Sequence, residues 1–359
     1  MPIDISAVSR TRCASVALGA ALLALGCASG APDRGSTLLL GSAGATLAST
    51  TTSTSYVEEP TVSFALDRID QRQLPLDQTY RHYGSGAGVT VYVFDGGVVG
   101  THPELAGRVR RGFDAFPDGP PVCNAHGTAV AGAVAGATLG VAPEAEIVDV
   151  KMVDCSRMRG TIEAIVRGTR WVLDDVARHP GRRAVANWSF IADTSASIPA
   201  LDASVRALND AGIPVVVAAG NFDLDACRIA PANAPGTIVV GASRVRRAVG
   251  ADSLLDERAP GTAYGPCVDL FAPGDSVLLP SIDLTGHATS QLWTGTSMAA
   301  GYVSGAVALY LESHPYATPD AVSAYLRGSA RTAVDPSRTP SAGMLYVGLD
   351  RPRTVAARN

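Results

Sequence analysis

The sequence predicts an α/β fold: a mainly parallel sheet covered by helices on both faces, three layers deep. Three observations carry that prediction. Short, β-branched and almost wholly apolar runs recur along the chain, longer segments with helical spacing stand between them, and the two kinds alternate from about residue 88 onward. Strands that are apolar on both sides suit the interior of a parallel sheet, and strand–helix alternation is the pattern of that class.

The chain has 359 residues, 47% of them hydrophobic and 17% charged, which supports a sizeable core and argues against general disorder. A net charge of −4 gives no sign of a nucleic-acid partner. Arg10 and Arg12 precede an apolar run from Val16 to Leu25 that ends in small residues and Cys27. Basic flank, short apolar segment and small-residue exit are the pattern of an export signal over residues 1–31, too short for a comfortable membrane span. The exit LALGCAS resembles a bacterial lipoprotein box, in which Cys27 would receive lipid and tether the protein to a membrane. Ordinary cleavage near Ala28 to Ala31 is the other reading. Residues 32–56 are rich in Ser, Thr, Gly and Ala and read as a flexible linker. The folded domain is expected over 57–347, followed by a tail at 348–359.

Within the domain, strands are predicted at 88–95, 145–153, 184–189, 213–220, 237–243 and 267–272, and helices at 126–137, 161–178, 198–211, 297–313 and 319–328. In such sheets function gathers beyond the carboxyl ends of the strands. Asp95 ends the first strand, Ser189 the third, and Asn221 follows the fourth. His126 opens the first helix and Ser297 the late one. An acid, a base, a hydroxyl and an amide donor are what acyl transfer needs. Histidine, with an ordinary pKa of about 6.5, can take the proton of an attacking serine. An aspartate on its other ring nitrogen fixes the tautomer, and the Ser297 N–H with the Asn221 amide would hold the oxyanion. G-x-S-x-G is absent, and the order Asp95, His126, Ser297 is not that of the α/β-hydrolases. After Cys13 and Cys27 of the leader, four cysteines remain: Cys123, Cys155, Cys227 and Cys267. No pair has metal-ligand spacing, so disulfides are expected, with three connectivities open.

The blocks DGGVVGTHPEL (95–105), NAHGTAVAG (124–132), VVVAAGN (215–221) and TGTSMA (294–299) resemble the four signature segments of the subtilisin-like serine proteases. FALDRIDQRQLPLDQTY (64–80), ACRIAPAN (226–233) and YGPCVDLFAPG (264–274) are most similar to the proteinase K and aqualysin branch. The resemblance covers about residues 60–347. It implies a serine endopeptidase with catalytic Asp95, His126 and Ser297, with Asn221 and Ser297 at the oxyanion, and with substrate bound along Ser189–Ala192 and Ala219–Gly220. It implies a protein or peptide substrate, a monomer, no catalytic cofactor, and bridges Cys123–Cys155 and Cys227–Cys267. It also places a structural calcium at Asp67, Asp70, Gln71, Asp77 and Thr79, while Arg244 stands where a second calcium site would need an aspartate.

Several departures accompany the resemblance. Asp95-Gly96-Gly97 replaces the usual Asp-Thr/Ser-Gly, Ala129 replaces a histidine, and Ala300-Gly301-Tyr302 replaces Thr-Pro-His. Gly301 is expected to loosen the serine helix by about 1 kcal/mol relative to alanine. Ser189-Phe190-Ile191-Ala192 replaces Ser-Leu-Gly-Gly, so that two glycines beside the specificity pocket gain side chains. A pocket restricted to small residues is expected, and the alternative is a degenerate relative that binds peptides with little turnover. The family's folding-assisting propeptide is also expected to be missing, because residues 28–56 read as linker.

Overall fold

The computed structural model describes residues 2–4, 56–248, 253–330 and 332–348. The leader beyond Asp4, Cys27 and most of the linker lie outside the described residues. Numbering the strands of the central sheet in chain order, β1 is Val89–Asp95, β2 Val109–Asp114, β3 Glu146–Lys151, β4 Arg183–Trp188, β5 Val215–Ala218, β6 Thr237–Arg247, β7 Leu254–Arg258, β8 Leu270–Pro273 and β9 Gly343–Met344. They lie in the order β9-β8-β6-β5-β4-β1-β3-β2, all parallel, with β7 added antiparallel to β6. The helices are α1 Phe64–Ile69, α2 His126–Ala135, α3 Ile162–Ala177, α4 Pro199–Asp210, α5 Thr296–Ser313 and α6 Pro319–Ser329.

Every residue of β1 is buried, because alternate side chains serve two cores. Val89, Val91 and Val93 pack with α2 and α5 on one face, whereas Tyr92 and Phe94 pack with α3 and α4 on the other. β2 was not expected. Its sequence, VRRGFD, is half-exposed at the sheet edge, so it lacks the continuous apolar run of an interior strand. The hairpin Val277–Ile282/Ala288–Trp293 was not expected either, since its second strand is exposed up to Trp293. Tyr56–Pro60, at the boundary of the expected linker, pairs antiparallel with Thr79–Tyr83.

The sheet order reverses at β1: the chain leaves β1 for the edge, returns through β3, and crosses to β4 on the far side. The crevice beyond the carboxyl ends at such a switch point is where α/β folds place ligands. α5 enters there and runs through the interior, all but three of its 18 residues buried. It packs on α2, which is wholly buried. Two glycines allow the approach: a Cβ on Gly301 would lie 2.9 Å from Ala133 Cβ and 3.0 Å from the Val130 carbonyl, and one on Gly305 would lie 2.7 Å from Val141 Cβ. The propensity cost expected for Gly301 therefore comes with a packing reason. There is no room for a larger residue unless α2 moves. Cys123 is bonded to Cys155, tying the loop before α2 to the turn that follows β3, and Cys227 is bonded to Cys267.

Gly305→Ala should destabilise the protein by roughly 1–3 kcal/mol, the usual range for overpacking, although alanine is the better helix former. Denaturant melts of the two proteins check this; an unchanged or raised midpoint would show that the helices are free to separate.

Candidate active site

Asp95 stands at the last position of β1, with one oxygen fixed by the Gly96 N–H at 2.6 Å. Its other oxygen lies 2.7 Å from His126 Nδ1. His126 begins α2, where Asn124 Oδ1 accepts its backbone N–H at 2.9 Å and so sets the start of the helix. With Nδ1 donating to a carboxylate, the Nε2 lone pair is the free, basic position of the ring. Burial works against a charged imidazole here, but the charge of Asp95 and its hydrogen bond outweigh that and hold the His126 pKa above its ordinary value. The Trp293 ring meets His126 edge-on at 6.3 Å.

Ser297 is the second residue of α5, in the first turn, where backbone N–H groups lack intrahelical partners. In this structure its hydroxyl donates to the Ser189 carbonyl at 3.3 Å, and among the described residues no hydrogen bond joins it to His126. Rotation about one side-chain bond separates this hydroxyl position from other staggered ones. Helix α5 is also bound to the end of β4 by a buried polar chain. Ser304 Oγ donates to Asn187 Oδ1 at 2.9 Å, Asn187 Nδ2 to Ser189 Oγ at 2.8 Å, and Ser189 Oγ to the Ser297 carbonyl at 3.1 Å.

Asn221 follows Gly220, whose φ of +114° is a backbone state that favours glycine. Its Oδ1 accepts both the backbone N–H and the hydroxyl of Thr296, at 2.9 and 3.0 Å. With the oxygen committed, Nδ2 must face the other way, beside Gly295 and the start of α5. Thr296 Oγ1 also accepts the Gly220 N–H at 3.2 Å, joining the two walls of the site. Thr296, Asn187 and Ser304 were not singled out from the sequence. Thr296 lies inside the quoted TGTSMA block, but nothing in a small polar residue at a helix start marks it as a clamp.

Residues Ser189–Ala192 follow the end of β4 beside Ser297 and Gly220. Phe190 is buried and stacks on Trp188 at 5.4 Å, so its ring belongs to the core. Ile191 is the residue that faces Gly220. Its Cδ1 lies 3.6 Å from where a Cβ on Gly220 would stand, and Ile229 Cδ1 closes in to 2.8 Å from that point. Ala192 donates its N–H to the Ala230 carbonyl at 2.8 Å, and Ala219 is fully buried.

The residues expected to hold calcium come together near the N-terminus of the domain. Asp67 spends both oxygens on the backbone N–H groups of Asp77 and Gln78, at 3.0 and 2.7 Å. Asp70 Oδ2 accepts the Arg81 N–H at 2.8 Å, while its Oδ1 is buried without a hydrogen-bond partner among the described residues. Gln71 donates to the Pro75 carbonyl and Thr79 donates its N–H to Asp77. The Arg81 guanidinium stands 2.8 Å from Asp77 and 3.5 Å from Asp70. Positive charge from the chain thus already faces the carboxylates, and among the described residues no three His, Cys, Asp or Glu side chains converge as a metal set. As arranged, the carboxylates face Arg81, and Asp70 Oδ1 is the oxygen left open in the cluster.

A carboxylate, an imidazole, a hydroxyl and an amide are thus grouped at the carboxyl ends of a doubly covered parallel sheet. Comparison with known proteins makes the class specific. The profile of the Subtilase family matches residues 86–344, and the chain belongs to that family. It is 40% identical over 272 residues to the extracellular serine proteinase of Thermus sp. (strain Rt41A), a match covering 75% of this chain and 62% of that protein. It is 36% identical to alkaline serine exoprotease A of Vibrio alginolyticus, over 75% of this chain and 47% of that protein. The chain thus spans about half to three-fifths of the length of these relatives. The crystal structure of a cold adapted subtilisin-like serine proteinase superposes with a TM-score of 0.69 at 36% identity, covering 81% of this chain and all of the other.

The His126 imidazole should titrate above its ordinary value of about 6.5 in the folded protein, and Asp95→Asn should bring it below. NMR of the ring across pH 4–9 checks both; a value below the ordinary one in the unsubstituted protein would contradict the arrangement.

Proposed function

We propose that the chain is an exported serine endopeptidase that cleaves proteins or peptides through an acyl-enzyme. The observation that carries this reading is the 2.7 Å pairing of Asp95 with His126 at the same strand ends where Ser297 opens a helix beside the Asn221 amide. In the mechanism, Ser297 Oγ turns from the Ser189 carbonyl toward His126 Nε2, gives up its proton there, and attacks the scissile carbonyl. Asp95 stabilises the imidazolium that forms, and His126 then passes the proton to the leaving amine. The Ser297 N–H and Asn221 Nδ2 receive the oxyanion, and Thr296 keeps that amide correctly turned. No step uses a metal. Because His126 must be neutral to act and its pKa is raised, kcat/KM should fall as pH drops through a value above 6.5.

Export is supported by the leader pattern at residues 1–31 and by two disulfides, which persist in oxidising compartments. It is further supported by the extracellular naming of the Thermus relative. Whether Cys27 carries lipid is decided by mass spectrometry of the natural N-terminus.

Ile191 narrows the pocket beneath the scissile bond, and the enzyme prefers small residues there. Ile191→Gly should raise kcat/KM for substrates with a large aromatic before the cleaved bond by about tenfold or more relative to alanine, as expected for removing several methylenes from a pocket wall. A peptide-library digest of both proteins reads this out, and equal preference for aromatics in the parent would remove Ile191 from the account. For the activity itself, a fluorophosphonate should label the folded protein, labelling should vanish in Ser297→Ala, and casein should be hydrolysed. A folded protein that never labels would point instead to a peptide-binding relative.

A further inference from the structure

The mechanism above leaves one buried acid beside the site unused. Asp149 lies on β3 and is 2% exposed, with Oδ1 lacking a hydrogen-bond partner among the described residues. The strand register sets Asp149 opposite Val93 and Lys151 opposite Asp95. In a parallel pair this puts Asp149 two residues below Asp95 on the same face of the sheet. That face is the one covered by α2, the helix that His126 opens, as the packing of Val93 and Ile147 there shows. On its other side Asp149 is paired with Arg111 of β2. The Val98 backbone N–H, in the loop leaving Asp95, favours its charged form. A buried carboxylate with an unused oxygen is costly to keep, and such groups gather at functional sites.

We propose that Asp149 is a positioning residue for the Asp95–His126 pair: it steadies the loop 96–100 beneath Asp95 and, when ionised, adds a second negative charge behind the imidazole. Only the kinetic arm of this proposal rests on the serine-protease reading. Burial pushes the Asp149 carboxyl up to about 7, further raised by Asp95 and Asp114 and opposed by Val98 and Arg111. Asp95 acts on both Asp149 and His126, so the two ionisations are linked through it. The remaining charged groups nearby are accounted for. Lys151 is paired with Asp114 at 2.9 Å, and His126 is the sole titratable residue of α2. In the loop after β1, His102 bonds to the Thr289 carbonyl and Glu104 to Thr138.

The test is an NMR titration of the His126 ring in Ser297→Ala protein, with and without Asp149→Asn. Asparagine keeps the shape and an acceptor for Val98 but cannot ionise. The His126 pKa should fall by about half a unit, the direction set by removing a nearby negative charge. In protein with Ser297 intact, the acid limb of kcat/KM should shift down by the same amount. Asp149→Leu, which loses the acceptor, should lower kcat on the alkaline plateau about tenfold with KM little changed, the cost of a displaced catalytic pair. A His126 titration unmoved by Asp149→Asn would overturn the proposal. So would a carboxyl-carbon titration of Asp149 in the unsubstituted protein that falls in the ordinary carboxylate range, a measurement that needs no variant to fold. Failure of the parent to react with a fluorophosphonate would count against the protease reading alone, and the ring titration would still decide the role of Asp149.

Discussion

The close contact between α2 and α5 is the constraint on which the rest of the structure depends. Both helices are buried, and each carries one of the proposed catalytic side chains, His126 or Ser297, on its first turn, where the helix meets the crevice. Gly301 and Gly305 bring the axis of α5 against the Val130 and Val134 carbonyls of α2. Because interiors are packed like molecular crystals, a helix pair this close has little freedom to slide or tilt. The relative placement of His126 and Ser297 is therefore fixed by packing behind the site. Ala129 and Tyr302, which replace histidines of the family pattern, both lie fully buried in this contact. They belong to the scaffold behind the proposed site.

A second set of interactions converts that packing into orientation. Hydrogen-bonded polar side chains join α5 to β4 through Ser304, Asn187 and Ser189, and to the loop after β5 through Thr296 and Asn221. Buried polar groups of this kind are expensive when half satisfied and specific when fully satisfied. Here they determine which way an amide turns. With Oδ1 of Asn221 held by two donors from Thr296, the proposed mechanism gives the donor face of the amide to the developing oxyanion. Together with the Ser297 N–H this gives a preorganised pair of donors, which costs no rearrangement at the moment of reaction.

Much of this was legible in the sequence, for identifiable reasons. The strands of the sheet interior announce themselves by being apolar on both faces, and the expected bounds of β1, β3 and β4 fall within a residue or two of those found. The edge strand β2 and the exposed hairpin did not, because a half-solvated strand with arginines has no such signature. Asp95, His126, Asn221 and Ser297 stood out by residue type, by position at strand and helix ends, and by order. What was not legible is what those residues lean on. Thr296, Asn187 and Ser304 are ordinary small polar residues whose roles exist only once distant segments meet. The direction of a side chain was equally hidden: Phe190 stacks on Trp188 in the core, while Ile191 faces Gly220. That Arg81 stands among the acidic residues near the domain's start was hidden too, because the pairing exists only once Thr79–Tyr83 folds against them.

The central claim is that these groups form one acyl-transfer site with Ser297 as nucleophile and Asn221 as oxyanion donor. A crystal structure of the fluorophosphonate-treated protein tests it most directly. The account predicts phosphorus bonded to Ser297 Oγ, with one phosphonyl oxygen within about 3 Å of both Asn221 Nδ2 and the Ser297 backbone nitrogen. An adduct on any other residue, or a phosphonyl oxygen turned away from Asn221 toward solvent, would contradict it.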